Sequence, residues 1–581
     1  MRVRSLPRWV RVALALVAVV LGAYLITRPT TSLDVLAIAV GVGFVLQGVI
    51  VLDSEDEGPP PRRWESRARV AVAVLWVSAG VFVLLFLGLT VRLLAEVIAI
   101  ALVANGILQL IGAFRRSLAL DARIAAIAFG AASFGFGILA GFWPDITLLI
   151  AAVAFGAQLI ISGIAEGRHA LHGAPPERTS TARPLHRFAR TTAAVVSLAL
   201  VGAAGVVSIG LRGATPVVDE FYAAPRDVPD EPGQLIRSEP FSRDVPSNAT
   251  AWRILYTTTR GDGSPAVASG IVVAPTEGIG YRPVIGWAHG TTGFAQPCAP
   301  SLLERPFASG TLFVLTRVIE AGWALVATDY IGLGTAGPHP YLIGRDSAHA
   351  ILDALRASRQ LTPGLIGGES VIWGHSQGGG AALWAGALAE DYAPLVSVEG
   401  VAALAPASEL NRLITQLSRV RGGSVIESFA LASFAANYHD VTWREYVRHG
   451  AEPIVRAISE RCLTEPGVLI SGLEGLALRR DPAVFKKNPL AGPFGARIME
   501  NIPPATVSAP LLVAQGEADE LIPPRVQQAF IERIREAGQD VDYRTYPGRD
   551  HITLVYQTSP LMDELFAWSA ERFAGVEGVA D

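Results

Sequence analysis

Lysine is almost missing from this chain: in 581 residues it occurs only at Lys486 and Lys487, while arginine is abundant. Heavy use of alanine, glycine and valine accompanies it, a compositional mark of a GC-rich bacterial gene. A sustained basic block is missing from the C-terminal half, and the formal net charge is -4. Phosphate-backbone binding therefore has no electrostatic footprint, which argues against nucleic acid as a partner. Cysteine is scarce as well, with Cys298 and Cys462 the only two, both in the C-terminal half. In an extracytoplasmic domain such a pair oxidises to a disulfide, whereas in a cytosolic one it stays as two buried thiols.

The first 212 residues lack charge where it would matter most, inside their long apolar runs. Spanning a hydrocarbon core takes about 20 residues of helix. Seven stretches satisfy that, near 10 to 27, 33 to 52, 70 to 89, 91 to 113, 123 to 142, 145 to 165 and 191 to 211. Arg2, Arg4 and Arg8 precede the first run as they would precede a signal peptide. Yet VVLGAYLITRP offers no small-x-small cleavage site, and the run exceeds the usual ~7 to 15 residues, so an uncleaved span is expected. Cationic residues are retained in the cytoplasm. Arg2, Arg4, Arg8 and Arg11 precede span one; Arg62, Arg63, Arg67 and Arg69 follow span two; Arg115, Arg116 and Arg123 follow span four; Arg168, Arg178, Arg183, Arg187 and Arg190 follow span six. The opposite side keeps only Arg28 and Arg92. The expectation is a multi-pass plasma-membrane protein with a cytoplasmic N-terminus; seven spans then carry the C-terminal half outside the cytoplasm, and a miscount by one would reverse that.

Gly41 to Gly48, Asn105 to Gly112 and Gly156 to Gly163 share one spacing inside spans two, four and six. Three helical hairpins are the natural reading, with small residues on one helix face letting backbones approach. This pattern resembles the six-span HdeD-like acid-resistance membrane proteins over roughly residues 10 to 170, with span seven an added connector. Glu96 is the main ionisable residue within a span, whereas ion pathways display buried charge. An anchoring, scaffolding or lipid-recruiting role is expected in place of transport.

From 213 to 247 the chain is rich in Pro, Asp and Glu, which predicts a solvated linker that becomes the first edge of a globular domain over 248–581. Short β-rich runs follow: WRILYTTT, AVASGIVVAP, RPVIGWAHG, WALVATDY, ESVIWGHS, VEGVAALAP, APLLVAQG and VDYRTYPG. RGDGSP between the first two is a hairpin signal. Helical stretches such as SAHAILDALRASRQ and GGAALWAGALAED alternate with the later runs, which predicts a mostly parallel sheet covered on both faces. The segment near 409–504 breaks the alternation with a series of helical patterns. An insertion beyond the C-terminal ends of strands is placed to cap a site there.

The motif Gly374-His375-Ser376-Gln377-Gly378 is preceded by the apolar run SVIW and followed by GGAALWAGALA, so strand, tight turn and helix are all present. Such a nucleophile elbow puts the serine at a strained apex, where only glycines fit beside it. A serine hydroxyl is a weak nucleophile and needs a base, and this architecture supplies its partners in the order serine, acid, histidine. Asp519, in GEADELIPP after APLLVAQ, is the candidate acid, preferred over Glu517 and Asp550 for its position after the strand. His551, in PGRDHITL after VDYRTY, is the candidate base, since His439 and His449 fall in the insertion. Negative charge on a tetrahedral intermediate needs preorganised N–H donors. Gln377 is expected to supply one and the loop His289-Gly290-Thr291-Thr292-Gly293 the other, through Thr291 or Thr292.

HGTTG, Asp329-Tyr330-Ile331-Gly332-Leu333-Gly334, HPYLIGRDSAHAILDALRA, GHSQGG, GEADELIPP and PGRDHITL together resemble the secretory lipase family of bacteria and fungi over roughly residues 235 to 575. The resemblance implies an α/β-hydrolase domain with a helical cap, lipase or esterase activity, possession of neither metal nor organic cofactor, and an extracellular workplace. Those relatives carry an ordinary signal peptide, and the polytopic half here makes membrane or envelope lipids the expected ester substrates. The whole is thus an all-α polytopic transmembrane domain of about seven helices over 1–212, followed by an α/β-hydrolase domain. Acyl transfer to an acceptor other than water uses the same residues, and a membrane stress or structural protein with a dead hydrolase domain is the non-enzymatic alternative.

Overall fold

The computed structural model describes residues 7–27, scattered positions from 38 to 86, 87–113, 120–142, scattered positions from 143 to 171, 183–213, and 216–577 with short gaps at 278–279, 362–364, 421, 465–467 and 481–483. The chain divides into two compact units, one of residues 1–212 with 447–457 and 476–484, the other of 213–446 with 458–475 and 485–581.

In the first unit the long helices are α1 (Arg8–Thr27), α2 (Leu87–Ala113), α3 (Leu120–Phe142) and α4 (Arg183–Gly213). Leucine, alanine, valine and isoleucine dominate them, and the proline of α4, Pro184, sits in the first turn where its missing N–H does no harm. Helices α2 and α3 meet at glycine: a Cβ on Gly106 would lie 2.7 Å from the Gly130 carbonyl oxygen, and one on Gly130 would lie 3.0 Å from that of Gly106. Helix α1 meets the helical residues Gly156 and Gly163 in the same way, with Gly22 opposite the first and Ala15 opposite the second. The spaced pair Gly156 and Gly163 thus faces a neighbouring backbone. Gly41 and Gly48 lie outside the described residues, as do the side-chain surroundings of Asn105 and Gly112. Among the described residues one helical stretch, Arg123–Phe142, is long and apolar enough to cross a membrane, and Ala15–Tyr24, Ile98–Ile111 and Val195–Gly210 are shorter apolar stretches. The expected span at 33 to 52 falls almost wholly outside the described residues.

The second unit is built on a nine-stranded sheet: β1 (Leu235–Phe241), β2 (Ala249–Thr259), β3 (Pro265–Pro275), β4 (Arg282–Ala288), β5 (Ala324–Ile331), β6 (Ile366–His375), β7 (Ser397–Leu404), β8 (Leu511–Gly516) and β9 (Asp542–Tyr546). The spatial order is β1-β2-β3-β5-β4-β6-β7-β8-β9. Pairings from β1 to β5 are antiparallel and all later ones parallel. Strand β5 is buried along its whole length, the reason ALVATDYI reads as a continuous apolar run and not an alternating one. The β2–β3 turn is closed by the Arg260 N–H donating to the Ser264 carbonyl at 2.8 Å, and Gly263 supplies its left-handed residue at φ 85°.

Helices α5 (Gly344–Ser358), α6 (Gln377–Tyr392), α7 (Gly423–Asn437), α8 (Pro493–Glu500), α9 (Pro524–Glu536) and α10 (Pro560–Glu577) complete the frame. One core joins α5, α6 and α9 to the sheet through Ile351, Leu355, Leu383, Phe530 and Ile534. The other holds Leu565, Phe566 and Phe573 of α10 against Trp323 and Trp373. Burying each such aliphatic or phenyl side chain stabilises by about 1.5–3 kcal/mol. The Trp373 indole donates to Ser569 Oγ at 3.0 Å, so even the fully buried ring keeps its polar atom paired. Between β7 and β8 the insertion is helical, including α7 and α8, as its periodicity predicts.

The segment 213–247 departs from a solvated linker. Phe221 and Tyr222 are buried, the Tyr222 hydroxyl lies 2.8 Å from Ser301 Oγ, and Leu235–Phe241 forms β1 against β2. Its prolines and acids are real turn signals, but two aromatic residues inside them dock onto the sheet domain and make the segment part of it.

Candidate active site

Strand β6 runs into helix α6 through Ser376, which takes φ 59° and ψ -118°. A non-glycine residue there stores on the order of 1–3 kcal/mol of strain. The backbone compensates: the Ser376 N–H donates to the Leu404 carbonyl at 3.0 Å, and the Ser376 carbonyl accepts from Gly380 at 3.2 Å and Ala407 at 2.9 Å. The flanking glycines are demanded by contact. A Cβ on Gly374 would lie 2.1 Å from the Gly378 carbonyl oxygen, and one on Gly378 would lie 1.9 Å from that of Ala288.

The structure brings Ser376, His551 and Asp519 together. His551 Nε2 is 2.9 Å from Ser376 Oγ, and His551 Nδ1 is 2.8 Å from Asp519 Oδ2. An ionised carboxylate only accepts, so Nδ1 carries the proton and Nε2 is left to accept from the serine hydroxyl. Asp519 is itself held: its Oδ1 accepts the N–H groups of Leu521 at 2.9 Å and Ile522 at 2.8 Å, and Gln515 Nε2 donates to Oδ2 at 3.2 Å. Its competitors serve elsewhere. Glu517 accepts from the Thr545 hydroxyl, and Asp550 caps the turn after it by accepting from Ile552 and Thr553 N–H groups. His439 is solvent-exposed.

Gln377 opens α6, where backbone N–H groups have no intrahelical acceptor. Gly290 and Thr291 line the same cavity as Ser376 and Gln377. Thr292 does not: it is fully buried, its hydroxyl donates to the Cys298 carbonyl at 2.8 Å, and its carbonyl accepts the Leu463 N–H at 2.7 Å. The geometry thus separates two threonines that the sequence leaves equivalent. The Thr291 hydroxyl is 3.0 Å from that of Tyr341, a residue to which sequence reasoning attached no role even though it lies in HPYLIG. Beneath the loop, burial pushes His289 down to about 4 and His339 down to about 3, so both are neutral near pH 7. His375 is fully buried at the end of β6.

The cavity above Ser376, together with the solvent space at its mouth, takes up about 850 Å³. Its wall is nearly all aliphatic or aromatic, with Leu413, Ile414, Leu417, Phe434, Phe494 and Ile498 coming from the insertion. Cys298 and Cys462 are joined by a disulfide between the segment after β4 and that insertion. Gly293 sits against it at φ 148°, where a Cβ would lie 2.6 Å from Cys298 Sγ. Among the described residues no cluster of three or more His, Cys, Asp or Glu side chains is placed to hold a metal.

Among known proteins, the chain is 24% identical over 390 residues to a Mycobacterium tuberculosis protein named "Probable inactive lipase", covering 62% of this chain and 83% of that one. It is 24% identical over 363 residues to Lipase A of Moesziomyces aphidis, covering 58% and 76%, and 24% identical over 362 residues to the trichothecene C-3 esterase of Fusarium sporotrichioides, covering 56% and 78%. Solved structures similar to it include Candida antarctica lipase A in its closed state, at 19% identity and TM-score 0.48 over 58% of this chain and 83% of that one. A mutant of the cell-wall-degrading esterase LipA of Xanthomonas oryzae matches at 20% identity and TM-score 0.49 over 58% and 98%. A short repeat of unknown function, DUF308, matches three times, at residues 13–60, 71–140 and 128–182. The C-terminal half, over residues 308–580, matches the secretory lipase family.

Proposed function

We propose that the C-terminal half is a serine hydrolase that cleaves carboxylic esters through an acyl-enzyme, with Ser376 as nucleophile, His551 as base and Asp519 as the group that orients it. The observation that carries this is the continuous line from Asp519 through His551 to Ser376, ending in an apolar cavity. The Ser376 oxygen attacks the ester carbonyl carbon while its proton passes to His551 Nε2. The N–H groups of Gln377 and Thr291 stabilise the negative oxygen that results. As the tetrahedral intermediate collapses, His551 returns the proton to the departing alkoxide. Water, deprotonated by the same nitrogen, then attacks the acyl carbon, and as that second intermediate collapses His551 returns the proton to the Ser376 oxygen, releasing the acid and restoring the serine. An almost wholly apolar cavity favours a lipid-like acyl group, and lipid is the substrate class we assign, with triacylglycerol among its members.

Labelling of the full-length protein with a fluorophosphonate, and ester turnover by wild type and Ser376→Ala, test the reading. Wild type should label and turn over ester and the variant should do neither; equal turnover by the two would sink it. The same assay addresses a dead hydrolase domain, a reading favoured by the name of the mycobacterial relative. Wild-type protein that neither labels nor hydrolyses esters of any chain length would establish that alternative. Products formed with added alcohol separate hydrolysis from acyl transfer.

For residues 1–212 the reading is a polytopic membrane domain of HdeD-like type, with three hairpin repeats and a connecting span, a cytoplasmic N-terminus and the hydrolase domain outside. The threefold repeat match, the glycine contacts between helices and the distribution of arginine support it. Periplasmic and cytoplasmic reporters fused after 212 test the orientation; cytoplasmic signal there would refute it.

A further inference from the structure

We infer that His375, the residue before the nucleophile, is a positioning residue for the base: it anchors the backbone of His551 so that the imidazole stays within reach of Ser376. The inference rests on the roles proposed above for Ser376 and His551.

His551 lies on neither strand nor helix, in the stretch between β9 and the short turn Thr553–Val555. Asp519 holds its ring at Nδ1 and the Ser376 hydroxyl meets Nε2, but neither bond fixes the backbone that carries the ring. A further grip comes from His375. Its Nε2 is 2.8 Å from the carbonyl oxygen of His551. A carbonyl can only accept, so this nitrogen carries the proton. The two rings lie with centroids 4.7 Å apart, tilted by 42°.

The other edge of His375 fits that tautomer. Nδ1 is 2.9 Å from Thr311 Oγ1, and in a neutral ring already protonated at Nε2 it is an acceptor. Burial and the neighbouring His551 hold His375 well below the ordinary histidine range, so the ring is neutral and the Thr311 hydroxyl donates to it. The same hydroxyl also lies 2.5 Å from the Gly310 carbonyl, a second acceptor for its single proton, while Nδ1 of the neutral ring has, among the described residues, no other donor facing it at hydrogen-bond distance. Thr311 adopts φ 71°, a left-handed conformation unfavourable for a β-branched residue, and it lines the cavity with His375 and Ser376. A chain of donors thus runs from Thr311 to His375 to the backbone of His551. It has a second consequence: when His551 takes the serine proton and becomes positive, its ring neighbour remains uncharged and does not repel it.

The experiment compares His375→Leu, which removes the donor, with His375→Gln, which keeps an N–H near the position of Nε2, in the full-length chain. Displacing a reacting group by about 1 Å can lower a rate on the order of 100-fold. His375→Leu should therefore lose about that factor in kcat on a short-chain p-nitrophenyl ester, with KM nearly unchanged. Labelling of Ser376 by a fluorophosphonate should slow in parallel, and His375→Gln should recover about tenfold or more of the loss. A histidine that only fills the core would lower Tm without altering kcat or the labelling rate of the folded protein. Wild-type kcat in folded His375→Leu, or an absence of recovery in His375→Gln, overturns the inference. Should His375→Leu fail to fold, Thr311→Val replaces it, with about a tenfold loss in kcat expected and recovered by Thr311→Ser; wild-type kcat in Thr311→Val overturns the inference equally. Ser376→Ala is run alongside. Activity in that variant overturns the site reading and this inference together, whereas an inert Ser376→Ala beside a fully active His375→Leu overturns the positioning role alone.

Discussion

The helices of the first 212 residues and the sheet domain after them use apolar side chains and glycine in opposite ways. On α1, α2 and α4, large aliphatic residues such as Leu16, Val20, Ile100, Ile111, Val206 and Ile209 are exposed. After Val217 the exposed large apolar residues, among those described, reduce to Tyr281, Leu395, Leu469, Met499, Ile552 and Tyr556. Water drives apolar surface inward; a hydrocarbon surrounding exerts no such force, and helices then associate through close backbone contact. Glycine follows the same division. Gly22, Gly106, Gly130 and Gly156 bring helix backbones together, whereas Gly374 and Gly378 clear space around one strained serine. Composition alone would count all of these as the same residue; what each one touches tells them apart.

The sharpest way to break the comparison is chemical. Ser376→Ala should lower kcat by about 10⁴-fold or more, and Asp519→Asn by about 10³ to 10⁴-fold, because the wrong histidine tautomer results. Both should leave the proposed association of the chain with membranes unchanged, measured by fractionation. Activity lost together with membrane association would mean that the two halves are not separable in function.

Next comes Gly378→Ala, which forces a Cβ to 1.9 Å from a backbone oxygen. It should abolish fluorophosphonate labelling, since backbone cannot yield as a side-chain end can. Gly202→Ala in α4 meets nothing within 4 Å, and the helix gains about 0.5–1 kcal/mol from the better former. Equal thermal behaviour of the two variants would refute the contrast. Gly106→Leu, against the Gly130 backbone, should weaken the first unit by about 1–3 kcal/mol while ester turnover by the folded protein stays at wild-type level, read from detergent melting curves and kcat.

The cysteine pair is expected to act on stability and not on the chemistry. Cys298→Ser with Cys462→Ser should lower stability by about 2–4 kcal/mol, seen as a drop in Tm of the hydrolase unit alone. The serine, histidine and aspartate contacts do not include either cysteine, so residual turnover at low temperature is expected.

Much of the site was legible because its chemistry is local. GHSQG announces an elbow through two glycines whose spacing a tight turn requires, and the order serine, aspartate, histidine follows from which strand each loop leaves. Strands β2 to β9 were legible from apolar runs between turn signals. Strand β1 was not, because LIRSEPF is half polar and sits inside a Pro- and acid-rich stretch, and its strand state comes from the partner β2. Tyr341 and Thr311 carried no local signal either: a tyrosine in HPYLIG and a threonine in SGTLF acquire roles only from what lies across the cavity.

The sequence by itself determined which residues can form a nucleophile elbow, which segments are apolar enough to be helices in lipid or strands in a core, and where charge is withheld. These are properties of neighbours along the chain, set by sterics and by solvent preference. Tertiary structure alone decided that Thr291 and not Thr292 faces the cavity, that Phe221 and Tyr222 dock, and that His375 reaches the carbonyl of His551. Each of those depends on atoms brought within about 3 Å by folding, and separation along the polymer carries no record of that distance.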